Sequence, residues 1–249
     1  MPSKIEWTDD TWNPVTGCTP VSEGCAHCYA ARMANRLRGR YGYPADEPFR
    51  VTLHPDKLDQ PFRWRKPRRI FVCSMGDLFH PDVPFEFVDR ITATMMARPQ
   101  HVFLVLTKRP ERMATYFETW CVRQKFTGTV FPLPNLWLGV TAENQARWEE
   151  RRADLFATPA AVHFVSYEPA LGPLVLSEDD LRRLSWVVCG AESGPGARPM
   201  QIAWPRSLCD QCVNAGVKFF LKQMRVDGKL VKMPKLDGRV WNEMPEMSQ

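Results

Sequence analysis

HVFLVLTKRP, His101 to Pro110, is an unbroken apolar run that stops at a threonine and two cations. Continuous aliphatic and aromatic residues, rather than an apolar–polar alternation, mark a strand buried on both faces, as in a parallel sheet. The reading extends to Ile70–Ser74, Asn135–Thr141, Val162–Glu168, Trp186–Glu192 and Val217–Gln223, with a shorter strand around Thr11–Asn13. Helix-like segments lie between them at Phe85–Ala97, Pro110–Phe117, Gln145–Leu155, Glu178–Leu184 and Pro205–Ala215. Earlier helices are expected at Ala26–Arg38 and around Pro55–Arg65. Strand and helix repeating at about 25–35 residues predict an α/β protein of βα units. The expected form is a partial or complete (β/α) barrel of about 6–7 parallel strands. An open doubly wound sheet would give the same pattern. No linker or shift of composition divides the chain, so one domain is expected over residues 1–249. It carries a C-terminal extension from about residue 225, where Asp227-Gly228 and Asp237-Gly238 signal hairpin turns.

The strand ends are polar. Ser74–Asp77, Thr107–Arg109, Thr141–Asn144, Ser166–Pro169, Gly190–Ser193 and Lys222–Gln223 each follow an apolar run. In parallel α/β folds these C-terminal ends share one rim, where sites are built. Helix capping would explain Asn144 and Ser193; it does not explain Lys108, Arg109, Glu168 or Lys222. On the same rim, after the first strand, stands GCTPVSEGCAHCY, with Cys18, Cys25 and Cys28 in a C-x6-C-x2-C array. Three thiols so close in a polar loop read as metal ligands. The remaining five cysteines divide differently. Cys73 and Cys189 fall in strands and read as core, Cys121 has no evident role, and Cys209 and Cys212 share one helix face. That pair reads either as core or as a second metal site.

Composition narrows the class. The 249 residues are 44% hydrophobic, enough for a substantial core. No apolar run reaches the ~18–20 residues of a membrane span, and residues 1–10 do not resemble a signal peptide. A cytoplasmic protein with no membrane partner is expected, and eight cysteines in that setting argue for metal or redox use rather than disulfides. The net charge is +5. Its densest cluster, RWRKPRR, offers Arg63, Arg65, Lys66, Arg68 and Arg69 around a tryptophan, a pattern suited either to a nucleic-acid backbone or to a solvated surface. Arg32, Arg36, Arg38 and Arg40 form a smaller group after the cysteine loop.

A three-cysteine loop after strand one of a (β/α) barrel resembles the radical S-adenosylmethionine (SAM) superfamily. The motifs TWNPVTGC, GCAHCYA, SMGDLFH, LTKRPERM, GAESGPGARPM and LDGRVWNEMP resemble, more closely, the bacteriophage-associated three-Cys-motif family of unknown function. The commonest superfamily spacing is C-x3-C-x2-C, so the x6 gap here is a departure. The resemblance implies a radical SAM enzyme with a [4Fe-4S] cluster on Cys18, Cys25 and Cys28 and one iron left open for SAM. Reduction would cleave SAM to a 5′-deoxyadenosyl radical, with electrons from a donor such as flavodoxin or ferredoxin. It further implies that His27 stands near the adenine and that Asp77 receives the SAM amino group. Lys108 or Arg109 would hold its carboxylate, Glu143 and Asn144 its ribose, and Gly190 would allow close approach. Glu168, Glu192, Arg198, Lys222 and Gln223 are then left for a substrate, first among them a nucleic acid or nucleotide. The competing reading is a non-catalytic nucleic-acid-binding module with zinc on the three cysteines and His27 or a distant fourth ligand.

Overall fold

The computed structural model describes residues 5–124 and 132–247. Its framework is an eight-stranded sheet, curled into a half-barrel. Six of its strands are β1 (Asp10–Trp12), β4 (Arg69–Val72), β5 (Val102–Thr107), β6 (Leu136–Thr141), β7 (Val162–Tyr167) and β8 (Trp186–Gly190). The others are β9 (Lys218–Val226) and β10 (Lys229–Lys232). All neighbours from β1 to β9 pair in parallel and in chain order, and β10 returns antiparallel to β9. Sequential order excludes the doubly wound alternative, whose strand order reverses at a switch point. A separate ribbon of β2 (Val15–Thr16) and β3 (Thr52–Leu53) carries the chain from β1 towards the rim.

Side chains alternate across the sheet, and the two faces are filled differently. Ile70, Val72, Phe103, Val105, Leu138 and Val187 pack with the helices α2 (Phe85–Met96), α3 (Pro110–Gln124), α4 (Gln145–Ala157), α5 (Glu178–Arg183) and α6 (Ala203–Ala215). The inner face is closed by Trp7, Leu104, Trp137, Phe164, Trp186 and Phe220. Burial of both faces is why the strands read as continuous apolar runs. Cys189, Cys209 and Cys212 belong to the helix-side core, which decides their role as packing rather than a second metal site.

Several boundaries differ from the sequence reading for local reasons. The helix expected from Ala26 begins at Tyr29, as α1 (Tyr29–Arg36), because Glu23–Cys25 forms a separate 3-10 turn. Pro55 opens one short 3-10 turn and Pro61 is the second residue of another, so no α-helix forms between Pro55 and Arg65. The strand at Ile70 ends at Val72, since Cys73 turns left-handed at φ 59. The Pro110 helix runs on to Gln124. Both aspartate–glycine turns form as expected, with positive φ at Asp227, Gly228, Asp237 and Gly238 joining β9 to β10 and β11 (Lys235–Leu236) to β12 (Arg239–Val240). The extension runs along β9 and onto the inner face. Leu221 and Phe219 pair with Trp241 and Glu243 along β9, and Met244 packs against the inner-face cluster.

Gly17 sets the entry to the rim. It bridges Gly76, and a Cβ there would lie 2.2 Å from the Arg50 carbonyl oxygen at a φ of +84°. Neither backbone can rotate away. Gly17→Ala should therefore cost about 2 kcal/mol or more, lowering Tm by about 4–8 °C in a chain of this size. An unchanged thermal unfolding curve would show that the crossing is not tight.

Candidate functional site

Cys18 leaves the Gly17–Gly76 crossing directly, its N–H bonded to the Phe49 carbonyl at 3.1 Å. Cys28 stands at the N-cap of α1, so the helix starts where the cysteine array ends. All three thiols of the array border one cavity of about 270 Å³ at the C-terminal ends of the strands. Phe71 and Leu106, at the fringe of the inner-face cluster, give it an apolar side, and Asp77, Thr107, Lys108, Arg109, Glu168 and Glu192 give it polar walls.

The polar strand ends hold the cysteine loop. Arg109 donates to Cys18 Sγ at 3.3 Å, to Asp77 Oδ2 at 3.1 Å and to the Thr19 carbonyl at 2.9 Å. Asp77 also accepts from Thr107 Oγ1 at 2.7 Å and from the N–H groups of Phe79 and Lys108. Lys108 Nζ lies 3.7 Å from Cys25 Sγ and 2.6 Å from Glu143 Oε1. Glu143, with a fully buried side chain, takes Ser22 Oγ at 2.5 Å and the Arg151 guanidinium at 2.9 Å. Gly24 packs against that carboxylate so closely that a Cβ would fall 2.2 Å from Oε1. Asn144 caps α4 through the Arg147 N–H and donates to Glu23 Oε1 at 2.6 Å. On the far side, Arg198 clamps Glu192 at 2.5 Å and reaches the Glu23 carbonyl at 2.9 Å. His27 Nδ1 lies 3.2 Å from Glu192 Oε2, close enough for an ion pair but without hydrogen-bond geometry.

This arrangement treats the first two thiols differently. Burial, with Asp77 nearby, pushes the Cys18 thiol up to about 11 against the opposing Arg109 charge. Burial works most strongly against the Cys25 thiolate, yet Lys108 and hydrogen bonds from Val21 and Ser22 together outweigh it, and the thiol falls below its ordinary range. Burial would raise Glu143, but the Lys108 and Arg151 charges hold it down. Burial lowers His54, His80 and His163. For all four groups the folded pKa lies below the unfolded one, so the unfolded state binds more protons as pH falls and stability rises with pH. Tm should be flat near neutrality, begin to fall below about pH 6.5 as unfolded histidines charge, and fall again below about 4.5 through Glu143. A Tm that rises on acidification from pH 7 to 5 would contradict these environments.

Of the residues singled out in the sequence, Cys18, Cys25, Cys28, His27, Asp77, Lys108, Arg109, Glu168 and Glu192 border the cavity together. Glu143, Asn144, Gly190, Arg198, Lys222 and Gln223 are not among its lining residues. Glu143 and Asn144 are engaged with the loop rather than open to a ribose. What crowds Gly190 is Glu168, 3.2 Å from an added Cβ, and Lys222 and Gln223 both donate to that same Glu168. Ser193 caps no helix, since α6 begins at Ala203. Ser22, Glu23 and Arg151 escaped the sequence reading. Arg151 sits in a charged helical segment that reads as solvent-facing, and nothing local signals its burial against Glu143.

The basic run is at the wrong end for this cavity. Arg63–Arg68 precede the N-terminus of β4, whereas the cavity lies beyond the strands' C-termini. Arg68 and Arg69 are paired with Asp10 and Asp9.

Among the described residues, no group of three or more His, Cys, Asp or Glu side chains is arranged to hold a metal ion. A closed zinc site needs its donors about 2.0–2.3 Å from one centre, and His27 faces Glu192 instead. An iron–sulfur cluster makes another demand, thiolates distributed over several irons. Three thiols free of disulfides bordering one cavity, two of them facing cationic N–H donors that offset anionic sulfur, fit that demand.

Residues 2–245 match a family described as "Protein of unknown function (DUF5131)". No curated protein and no solved structure matches the chain. No helix among the described residues is long and apolar enough to cross a membrane.

Proposed function

We propose, for a chain that belongs to the DUF5131 family of unknown function, that it is a radical SAM enzyme with a [4Fe-4S] cluster on Cys18, Cys25 and Cys28. One observation carries the reading: three thiols free of disulfides, two of them facing cationic strand ends, border a single cavity at the C-terminal rim of a sequentially ordered parallel half-barrel. Sites in such folds lie at that rim. When bound, the cluster supplies one electron for cleavage of the SAM sulfonium, and with it hydrogen abstraction from a substrate.

The chain's own residues divide into two tasks. Lys108 and Arg109 border the cavity as cations, suited to an anionic carboxylate, and they also donate towards the sulfurs of Cys25 and Cys18. Asp77 orients Arg109 and the Thr107–Lys108 backbone; its two oxygens already accept four donors, so its part in recognising an ammonium is secondary to that clamp. Glu143, Asn144 and Arg198 fix the loop from behind. Glu168, held by Lys222 at 2.6 Å, is the carboxylate left facing the cavity for a substrate donor. The reading implies an external one-electron donor of the flavodoxin or ferredoxin class.

The test is metal analysis after anaerobic reconstitution. About four irons and four labile sulfides per chain are expected. Stoichiometric zinc without sulfide would overturn the assignment.

A further inference from the structure

Beside the cavity lies a cationic ridge distinct from the RWRKPRR run. Helix α1 presents Tyr29, Arg32 and Arg36 at spacings that place them on one face. Tyr29 borders the cavity and is 52% exposed, an unusual state for a large ring beside a site. Arg32 crosses to the loop after β8, donating to the Ser193 carbonyl at 3.1 Å. From the opposite side, Arg225 of β9 approaches the next carbonyl, Gly194, at 3.5 Å. Gly194 has a φ of +98°, and a Cβ there would fall 1.6 Å from the Arg32 guanidinium, so a glycine lets that group lie flat on the turn. Arg32 Nε is buried with no hydrogen-bond partner. Among the described residues, none of Arg32, Arg36 and Arg225 is paired with a carboxylate.

We propose that this ridge, Tyr29–Arg32–Arg36 on α1 and Arg225 on β9, binds single-stranded nucleic acid and presents a nucleotide to the cavity mouth. Guanidinium forks match phosphate oxygens in planar, two-point contacts. Arg32 and Arg36 stand one helical turn apart, about 6 Å along the axis. An exposed tyrosine next to unpaired cations is the pairing that stacks a base while the backbone is tracked. An acidic peptide would use the charges but not the ring. Calling the bound strand the substrate rests on the radical SAM reading; the binding surface does not.

Fluorescence anisotropy with labelled single-stranded DNA and RNA of about 20 nucleotides tests the surface. Binding should weaken as salt rises from about 50 to 200 mM, with a log–log slope of about −2 for three phosphate contacts. The exposed double variant Arg36→Glu/Arg225→Glu should weaken binding at least about tenfold with Tm unchanged, and Tyr29→Ala about five- to hundredfold. Arg63→Glu/Lys66→Glu should leave it as in the wild type. No salt-dependent binding, loss confined to the Arg63/Lys66 variant, or equally tight binding of polyglutamate would overturn the proposal. Iron and sulfide content, measured on the same samples, keeps the two readings apart. A loaded cluster without oligonucleotide binding sinks only the surface, and oligonucleotide binding without a cluster sinks only the radical SAM assignment.

Discussion

Glu143→Gln should unfold at a temperature lower by about 6–12 °C than the wild type, the largest loss expected for any single charge in the molecule. The carboxylate side chain is fully buried and receives Ser22, Lys108 and Arg151. An amide keeps the shape but removes the charge, which leaves the Arg151 guanidinium, with 1% of its side chain exposed, buried without a counter-ion. Removing one member of a buried pair costs about 3–5 kcal/mol; because Lys108 can turn towards solvent, the lower end applies. The loss should also reach the site. Ser22 and Lys108 both hold the Cys25 thiol below its ordinary range, so with the two released Cys25 should alkylate more slowly at neutral pH in the variant than in the wild type. Glu149→Gln, on the exposed side of the same helix region, should alter neither Tm nor alkylation, since its pairing with Arg152 is half exposed. Equal Tm values for Glu143→Gln and the wild type would mean that the carboxylate is not the keystone of the loop.

The second large effect separates the cysteines into two groups. Cys18→Ala, Cys25→Ala and Cys28→Ala should each lose essentially all reconstituted iron and sulfide while changing Tm by no more than about 2 °C. These thiols are half-buried in a polar loop, so truncation forfeits little packing. Cys189→Ala and Cys212→Ala should do the reverse. Both sit in the helix-side core, where a lost sulfur leaves a void, and both should lower Tm by several degrees with iron content intact. Burial has pushed the Cys189 and Cys212 thiols well up from their ordinary range, so these two are poor thiolates as well as inaccessible ones. If a core cysteine variant loses its iron and a loop variant keeps it, the ligand set named here is wrong.

The strand pattern was legible because β5, β6, β7 and β8 are buried on both faces, and long apolar runs ending in polar residues need no alignment to see. The rim was legible for the same reason: Lys108, Arg109 and Glu168 follow such runs directly. Their roles were harder to read. Glu143 and Asn144 bond to Ser22 and Glu23, 121 positions away, and separation of that kind leaves no trace in spacing or periodicity. Arg151 looks like any arginine of a charged helix until the fold buries it. The basic run shows a different failure. Arg63–Arg69 precede a strand rather than follow it, and strand direction alone puts them at the end opposite the cysteines, so that placement could have been read from the sequence. The cationic ridge could not, because it joins Arg32 of α1 to Arg225 of β9, more than 190 positions apart, through carbonyls of a third loop.

The central claim, that the three-cysteine loop supports reductive cleavage of SAM, is tested most directly by one assay. The anaerobically reconstituted protein is mixed with dithionite and SAM, and 5′-deoxyadenosine is measured against time. The account predicts its accumulation over the protein-free background, and its loss in Cys18→Ala. A fully cluster-loaded wild-type protein that yields no 5′-deoxyadenosine, or a Cys18→Ala protein that yields as much as the wild type, would contradict it.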